Sequence, residues 1–198
     1  MKKLVFVIFL FPILSWGSCQ LPKETKLKIG CTYQCGIAYK IRLKVASLIT
    51  GIPVEIIDMN TDMNLLSTVD GIIIPGGADI HPRFYEANVD EAERRLIEKH
   101  KDKFRGSTEG EVRDLFEFQV LKKYSSEDRF SQIPLLGICR GMQMMGVAQG
   151  LSLYQDIEAE LNIPNREYVI DEVVVPRGPT MMSSIFPSGS FYATKLHH

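Results

Sequence analysis

A chain of 198 residues with 45% apolar side chains is long enough for one domain with a core of its own. Its 23 basic and 24 acidic residues nearly cancel, so no long-range field draws it to nucleic acid or to an anionic surface. A nucleic-acid role is not expected on that balance.

The chain opens on MKKLVFVIFLFPILSWGSCQ, in which two lysines precede an apolar segment and the small residues Gly17 and Ser18. The segment is shorter than the roughly 20 residues a spanning helix needs, and residues 1–18 read as an export signal peptide. Cys19 stands where a bacterial lipoprotein signal is cut and acylated, although Trp16 replaces the usual branched aliphatic residue. The expected location is therefore the periplasm or a membrane-anchored lipoprotein attached through Cys19; an ordinary cleaved signal and a retained anchor are the alternatives.

Export permits disulfides. Cys31 and Cys35 lie in CTYQCG at the end of the first predicted strand, and no second pair follows at metal-ligand spacing, so no metal is expected. Two semi-buried thiols or a local disulfide both fit that spacing.

Beyond the signal, strand and helix patterns alternate. KLKIG is a short strand; IAYKIRLKVASLITG has helical periodicity and a glycine stop; PVEIID is a second strand. VDGIIIPGG has the near-continuous apolar run of a strand buried on both faces. DEAERRLIEKHKDKF carries charges of both signs and reads as a solvated helix, which puts His81, just before it, and His100 on the surface. EGEVRDLFEFQVLKKY is a helix expected to bury Val112, Leu115, Phe116, Val120 and Leu121, and IPLLGIC is a fourth buried strand. The alternation predicts a three-layer, doubly wound α/β domain over residues 26–198, with a mostly parallel, flavodoxin-like sheet.

Such sheets bind ligands outside the carboxyl ends of their strands. Two glycine turns, PGGAD and GICRG, fall there and face one another if their strands are neighbours. Gly76-Gly77 lacks the glycine spacing and the lysine of nucleotide loops, so no nucleotide cofactor is expected. Gly137-Ile138-Cys139-Arg140-Gly141 has the small-x-nucleophile-x-small pattern of a strained strand-to-helix elbow, with glycines where the two backbones nearly touch. The start of the following helix favours negative charge on the sulfur. A buried thiol at a tight turn is the plainer reading of the same spacing.

The blocks VDGIIIPGGADIHPRFY, RDLFE, IPLLGICRGMQMMGVAQGLSLYQDI and the terminal LHH, in that order, resemble the class I glutamine amidotransferase-like hydrolases, and among them the gamma-glutamyl-gamma-aminobutyrate hydrolase group. The resemblance implies that Cys139 attacks a gamma-glutamyl amide to give a thioester. It implies an oxyanion hole from the N–H groups of Gly77 and Arg140, and substrate contacts at Gly76, Gln143 and His197. Asp79, Pro82 and Tyr85 match a loop beside the cleft. Arg113, Asp114 and Glu117 also match, although a helix face with ion pairs explains them equally well. No cofactor is implied; the partner is a small gamma-glutamyl substrate, and neither the leaving amine nor the oligomeric state is predicted.

The resemblance also implies a base histidine and an orienting glutamate beyond Leu196-His197-His198, where this sequence stops. The C-terminal part of the domain is accordingly expected to be missing, which would leave apolar surface uncovered. The alternatives to an amide hydrolase are a catalytically inactive relative that binds glutamyl-like ligands or a partner, and an ammonia-feeding glutaminase subunit, which an export signal disfavours.

Overall fold

A computed structural model describes residues 25–162, 169–175, 178 and 189–195. The export signal, Cys19, and His197 and His198 lie outside the described residues. Among the described residues no helix is long and apolar enough to cross a membrane.

Four parallel strands form the sheet: β1 (Leu27–Cys31), β2 (Val54–Asp58), β3 (Gly71–Ile74) and β4 (Leu135–Gly137), in the order β2-β1-β3-β4. The helices are α1 (Ile37–Thr50), α2 (Glu91–Lys99), α3 (Thr108–Ser126), α4 (Asp128–Ser131), α5 (Arg140–Ala148) and α6 (Ile157–Leu161). Strand β3 is buried along its whole length, and its alternation divides the core. Ile72 and Ile74 enter the large cluster with Phe116 and Val120 of α3 and Met144 and Val147 of α5. Ile73 enters a smaller cluster on the other face with Cys31 and Cys35, packed by Tyr39 and Leu43 of α1. Helices thus cover both faces of a parallel sheet, which is the predicted three-layer α/β fold. Burying each of these isoleucines stabilises the fold by about 1.5–3 kcal/mol.

Helix α1 ends where Gly51 adopts a left-handed conformation (φ 69°), as its glycine stop requires. Its sheet-facing side is modestly apolar, whereas Ile37, Ile41, Val45, Leu48 and Ile49 are exposed. Helix α2 opens with a reciprocal capping box between Asp90 and Glu93 and is largely solvated, in line with its mixed charge.

Several expectations are corrected. On α3, Val112 and Leu115 are exposed, while Arg113, Asp114 and Glu117 are buried beside Phe116, Val120 and Leu121. The helix has turned because fully paired buried charges hold it more specifically than two further aliphatic contacts. Strand β4 is an edge among the described residues and leaves Leu136 exposed, so it is not buried on both faces. His100 is buried at the end of α2, where its backbone N–H caps Leu96; only His81 remains partly accessible. Cys31 and Cys35 are joined as a disulfide, with Cα atoms 5.5 Å apart, which selects one of the two readings of their spacing. An antiparallel pair, β5 (Val169–Val174) and β6 (Ser190–Lys195), has no counterpart among the elements the sequence predicts.

Candidate active site

The elbow is built by backbone constraint. Ile138 N–H donates to the Ile74 carbonyl (3.0 Å), which carries the chain from β4 over the end of β3, and α5 begins at Arg140. Between them Cys139 is held at φ 54°, ψ −116°, a region that a non-glycine residue enters at a cost of about 1–3 kcal/mol. The glycines on either side permit the approach. A Cβ on Gly137 would lie 2.8 Å from the Gly141 backbone, and a Cβ on Gly141 would overlap the Ile74 carbonyl oxygen. Because that obstacle is backbone, we expect Gly141→Ala to lower stability by about 1–3 kcal/mol or more. Chemical denaturation checks this: an unchanged midpoint would mean that helix and strand do not meet as closely as described.

Cys139 is free and exposed. The neighbouring strand brings the second glycine turn against it: a Cβ placed on Gly76 would sit 3.4 Å from the Cys139 Cβ. Gly76 N–H donates to the Tyr39 hydroxyl (3.3 Å). The N–H groups of Gly77 and Arg140, in contrast, donate to no acceptor among the described residues. One open donor at an exposed turn and one at a helix start, both lining the cavity that holds the exposed thiol, form a ready receptor for an anion.

Behind the turns, α3 supplies a buried clasp. Arg113 donates through Nε to Glu117 Oε1 (2.8 Å), through Nη1 to the Gly76 carbonyl (3.1 Å) and through Nη2 to the Pro75 carbonyl (2.5 Å). Glu117 and Asp114 both take hydrogen bonds from the Arg140 guanidinium, Thr32 Oγ1 donates to Glu117 Oε1 (2.7 Å), and His81 N–H donates to Asp114 Oδ2 (2.9 Å). Two arginines and two carboxylates form a neutral set, and it ties the turns after β1, β3 and β4 to one helix. Its pairing holds the Arg140 guanidinium on Asp114 and Glu117.

On the open side lies a cavity of about 380 Å³ lined by Gly77, Cys139, Arg140 and Gln143, with Asp79, Tyr85 and Gln155 opposite. Of the residues implied by the resemblance, Gly77, Cys139, Arg140 and Gln143 meet in this cavity and Gly76 packs directly behind Cys139. Asp79 and Tyr85 reach it, whereas Pro82 starts a 3-10 turn outside the lining, and His197 lies outside the described residues. Tyr154 and Gln155, in the segment after α5, also line the cavity and are not among the residues the sequence points to; their one signal in the sequence is Gly150, which turns the chain after α5 (φ 94°).

Gln155 is buried and donates through Nε2 to the Tyr85 hydroxyl. Burial pushes the Tyr85 pKa up to about 12; the Gln155 hydrogen bond opposes the rise, and Asp79, Glu160 and Glu86 add to it. The folded value lies above the ordinary 10, so the stability this hydroxyl contributes is complete below pH 10 and lost as pH rises toward 12. We expect about 2–3 kcal/mol to disappear across that window, and less in Tyr85→Phe. Identical alkaline melting of the two proteins would contradict it.

At the end of β2 Asp58 accepts from Cys35 N–H (2.6 Å) and from Lys40 Nζ (2.6 Å). Burial acts against its charge, but the Lys40 ammonium and the Cys35 N–H outweigh that and hold the carboxyl below its usual range. Cys31, Cys35 and Asp58 are near enough to share an ion, but the sulfurs are bonded to each other and both carboxylate oxygens are engaged.

Fold and site together define a class of α/β protein in which a cysteine elbow is set against a second glycine turn. The sequence matches the family Peptidase C26 over residues 34–198. The chain belongs to that family, one of the class I glutamine amidotransferase-like hydrolases.

Three relatives illustrate the likeness. "Putative glutamine amidotransferase-like protein RP404" of Rickettsia prowazekii (strain Madrid E) is 43% identical over 99 residues, covering 49% of this chain and 29% of that protein. "Putative glutamine amidotransferase PB2B2.05" of Schizosaccharomyces pombe is 30% identical over 135 residues, covering 65% and 46%. "Putative glutamine amidotransferase-like protein YvdE" of Lactococcus lactis subsp. lactis is 35% identical over 94 residues, covering 48% and 33%. The matched stretches thus span less than half of each relative's length.

Proposed function

We propose that the site hydrolyses gamma-glutamyl amides through a thioester on Cys139. The sulfur attacks the amide carbonyl, and the tetrahedral oxygen receives the N–H groups of Gly77 and Arg140 as it gains charge. Expulsion of the protonated amine leaves the acyl group on sulfur. Water then attacks the thioester, the C–S bond breaks, and glutamate and the thiol are released. The observation that carries this reading is the pair of open N–H donors flanking an exposed, strained cysteine. Gln143 lines the cavity where the glutamyl group would lie.

The test is a panel of gamma-glutamyl amides with glutamate release as the readout, together with a gamma-diazoketone analogue of glutamine. One equivalent should add to the protein, and peptide mapping should place it on Cys139. Release of free amine without glutamate, or an adduct elsewhere, would refute the assignment.

One observation supports a second reading. Among the described residues the cavity lining includes no histidine or lysine to move the proton from the thiol. If the diazoketone does not react, yet glutamyl ligands raise the melting temperature, the protein is a binding relative and not a hydrolase.

A further inference from the structure

We propose that Arg113 is a positioning residue that sets the direction of the Gly77 N–H, the donor the reaction needs. The proposal rests on the amide-hydrolysis reading above. The Gly76 carbonyl and the Gly77 N–H belong to one planar peptide unit and point in opposite directions, so fixing one fixes the other. Arg113 Nη1 holds that carbonyl at 3.1 Å, and Nη2 holds the preceding Pro75 carbonyl at 2.5 Å.

The unit needs such a hold. It joins two glycines, which lack the Cβ atoms that restrict other residues, and it is therefore the part of the turn most free to rotate. Rotated by half a turn, it would present the Gly76 oxygen to the cavity in place of a donor and would repel the developing oxyanion. The guanidinium also lies directly against Gly77, where a Cβ would meet Nη1 at 2.6 Å. Its third donor, Nε, is fixed by Glu117, which is bonded in turn to Arg140, the residue that carries the second open N–H. One buried fork thus acts on both donors without touching the cavity, since Arg113 is not among its lining residues. Lysine keeps the charge but cannot hold two carbonyls and a carboxylate in one plane. On the far side, the Tyr39 hydroxyl holds Gly76 N–H and completes the restraint of the turn.

The experiment compares the full chain with Arg113→Lys and Tyr39→Phe. For each we would measure kcat and KM for a gamma-glutamyl amide, the inhibition constant of glutarate semialdehyde, which lacks the alpha-amine that would close on the aldehyde, and the rate of Cys139 alkylation by iodoacetamide. The aldehyde adduct carries an oxyanion and reports the donors, whereas alkylation requires only that the thiol be in place. Arg113→Lys should lower kcat about 10²-fold with little change in KM, the scale of losing one oxyanion donor. Aldehyde affinity should fall in parallel while alkylation stays within a factor of two or so of wild type. Tyr39→Phe should show the same pattern at a few-fold scale.

If wild type turns over and both variants keep kcat and aldehyde affinity, Arg113 does not position the donor. If alkylation, kcat and melting temperature all fall together, its role is general support of the elbow and the proposal is overturned. Failure of wild type itself to turn over or to bind the aldehyde would instead remove the hydrolysis reading, and this proposal with it.

Discussion

Cys139→Ala should abolish glutamate release, lowering kcat by about 10³-fold or more, because no other group in the cavity can form the thioester. The same position should show the opposite effect on stability. Cys139 sits at φ 54°, ψ −116°, and Cys139→Gly relieves a strain worth about 1–3 kcal/mol, since glycine enters that region freely. An inactive protein that melts higher than wild type is thus expected from the glycine variant, whereas alanine retains the strain. This inverse relation between rate and stability marks strain held for function. Turnover by either variant within about tenfold of the wild-type rate would show that Cys139 is not the nucleophile. A glycine variant less stable than the alanine one would show that the elbow is not strained.

The second large effect is on folding. Glu117 is fully buried and shared between Arg113 and Arg140, and Glu117→Leu would leave two buried guanidinium groups with Asp114 alone. Removing one partner from such a set costs about 3–5 kcal/mol, because the remaining charges are neither hydrated nor paired. An exposed pair on α2, Arg95 with Glu91, should by comparison contribute about 1 kcal/mol or less. Urea titration of the two variants tests the contrast through the midpoint at constant slope. A loss below about 1 kcal/mol for Glu117→Leu would mean that water reaches the clasp. Retention of most stability alongside loss of turnover would assign the clasp to the geometry of the turns and not to the fold.

The reading of the sequence was strongest where local chemistry and tertiary demand coincide. Gly137 and Gly141 announce a close backbone approach, and the structure shows the backbone each would strike. The run at Ile72–Ile74 announces a strand buried on both faces, because neither face tolerates a polar residue. It was weakest where tertiary pairing outvotes hydrophobic periodicity. The 3.6-residue pattern of α3 predicts Val112 and Leu115 inside, yet Arg113, Asp114 and Glu117 take those places, and the pattern cannot register Arg140, which pairs with the two carboxylates from 26 and 23 residues downstream. His100 was misplaced for the same reason, since a charged neighbourhood in sequence says little about the side one residue faces at a helix end. The Cys31–Cys35 bond depends on how the chain leaves β1, which a spacing of four does not determine. Gln155 is not legible in the sequence because it lines the cavity from a segment without regular structure, where no period identifies an inward side.

That three turns converge on one helix also sets an order of events during synthesis. Thr32, Pro75, Gly76 and Arg140 all meet Arg113, Asp114 or Glu117, so the clasp cannot close until Arg140 has left the ribosome. A nascent chain that ends within α3 carries Asp114 and Glu117 against a single arginine, and this surplus of negative charge keeps the helix wet and undocked. Cys139 and the residue that completes the neutral set are adjacent in the chain. The thiol therefore reaches its elbow in the same step that allows the helix to bury its charges, and no shorter intermediate presents an assembled site.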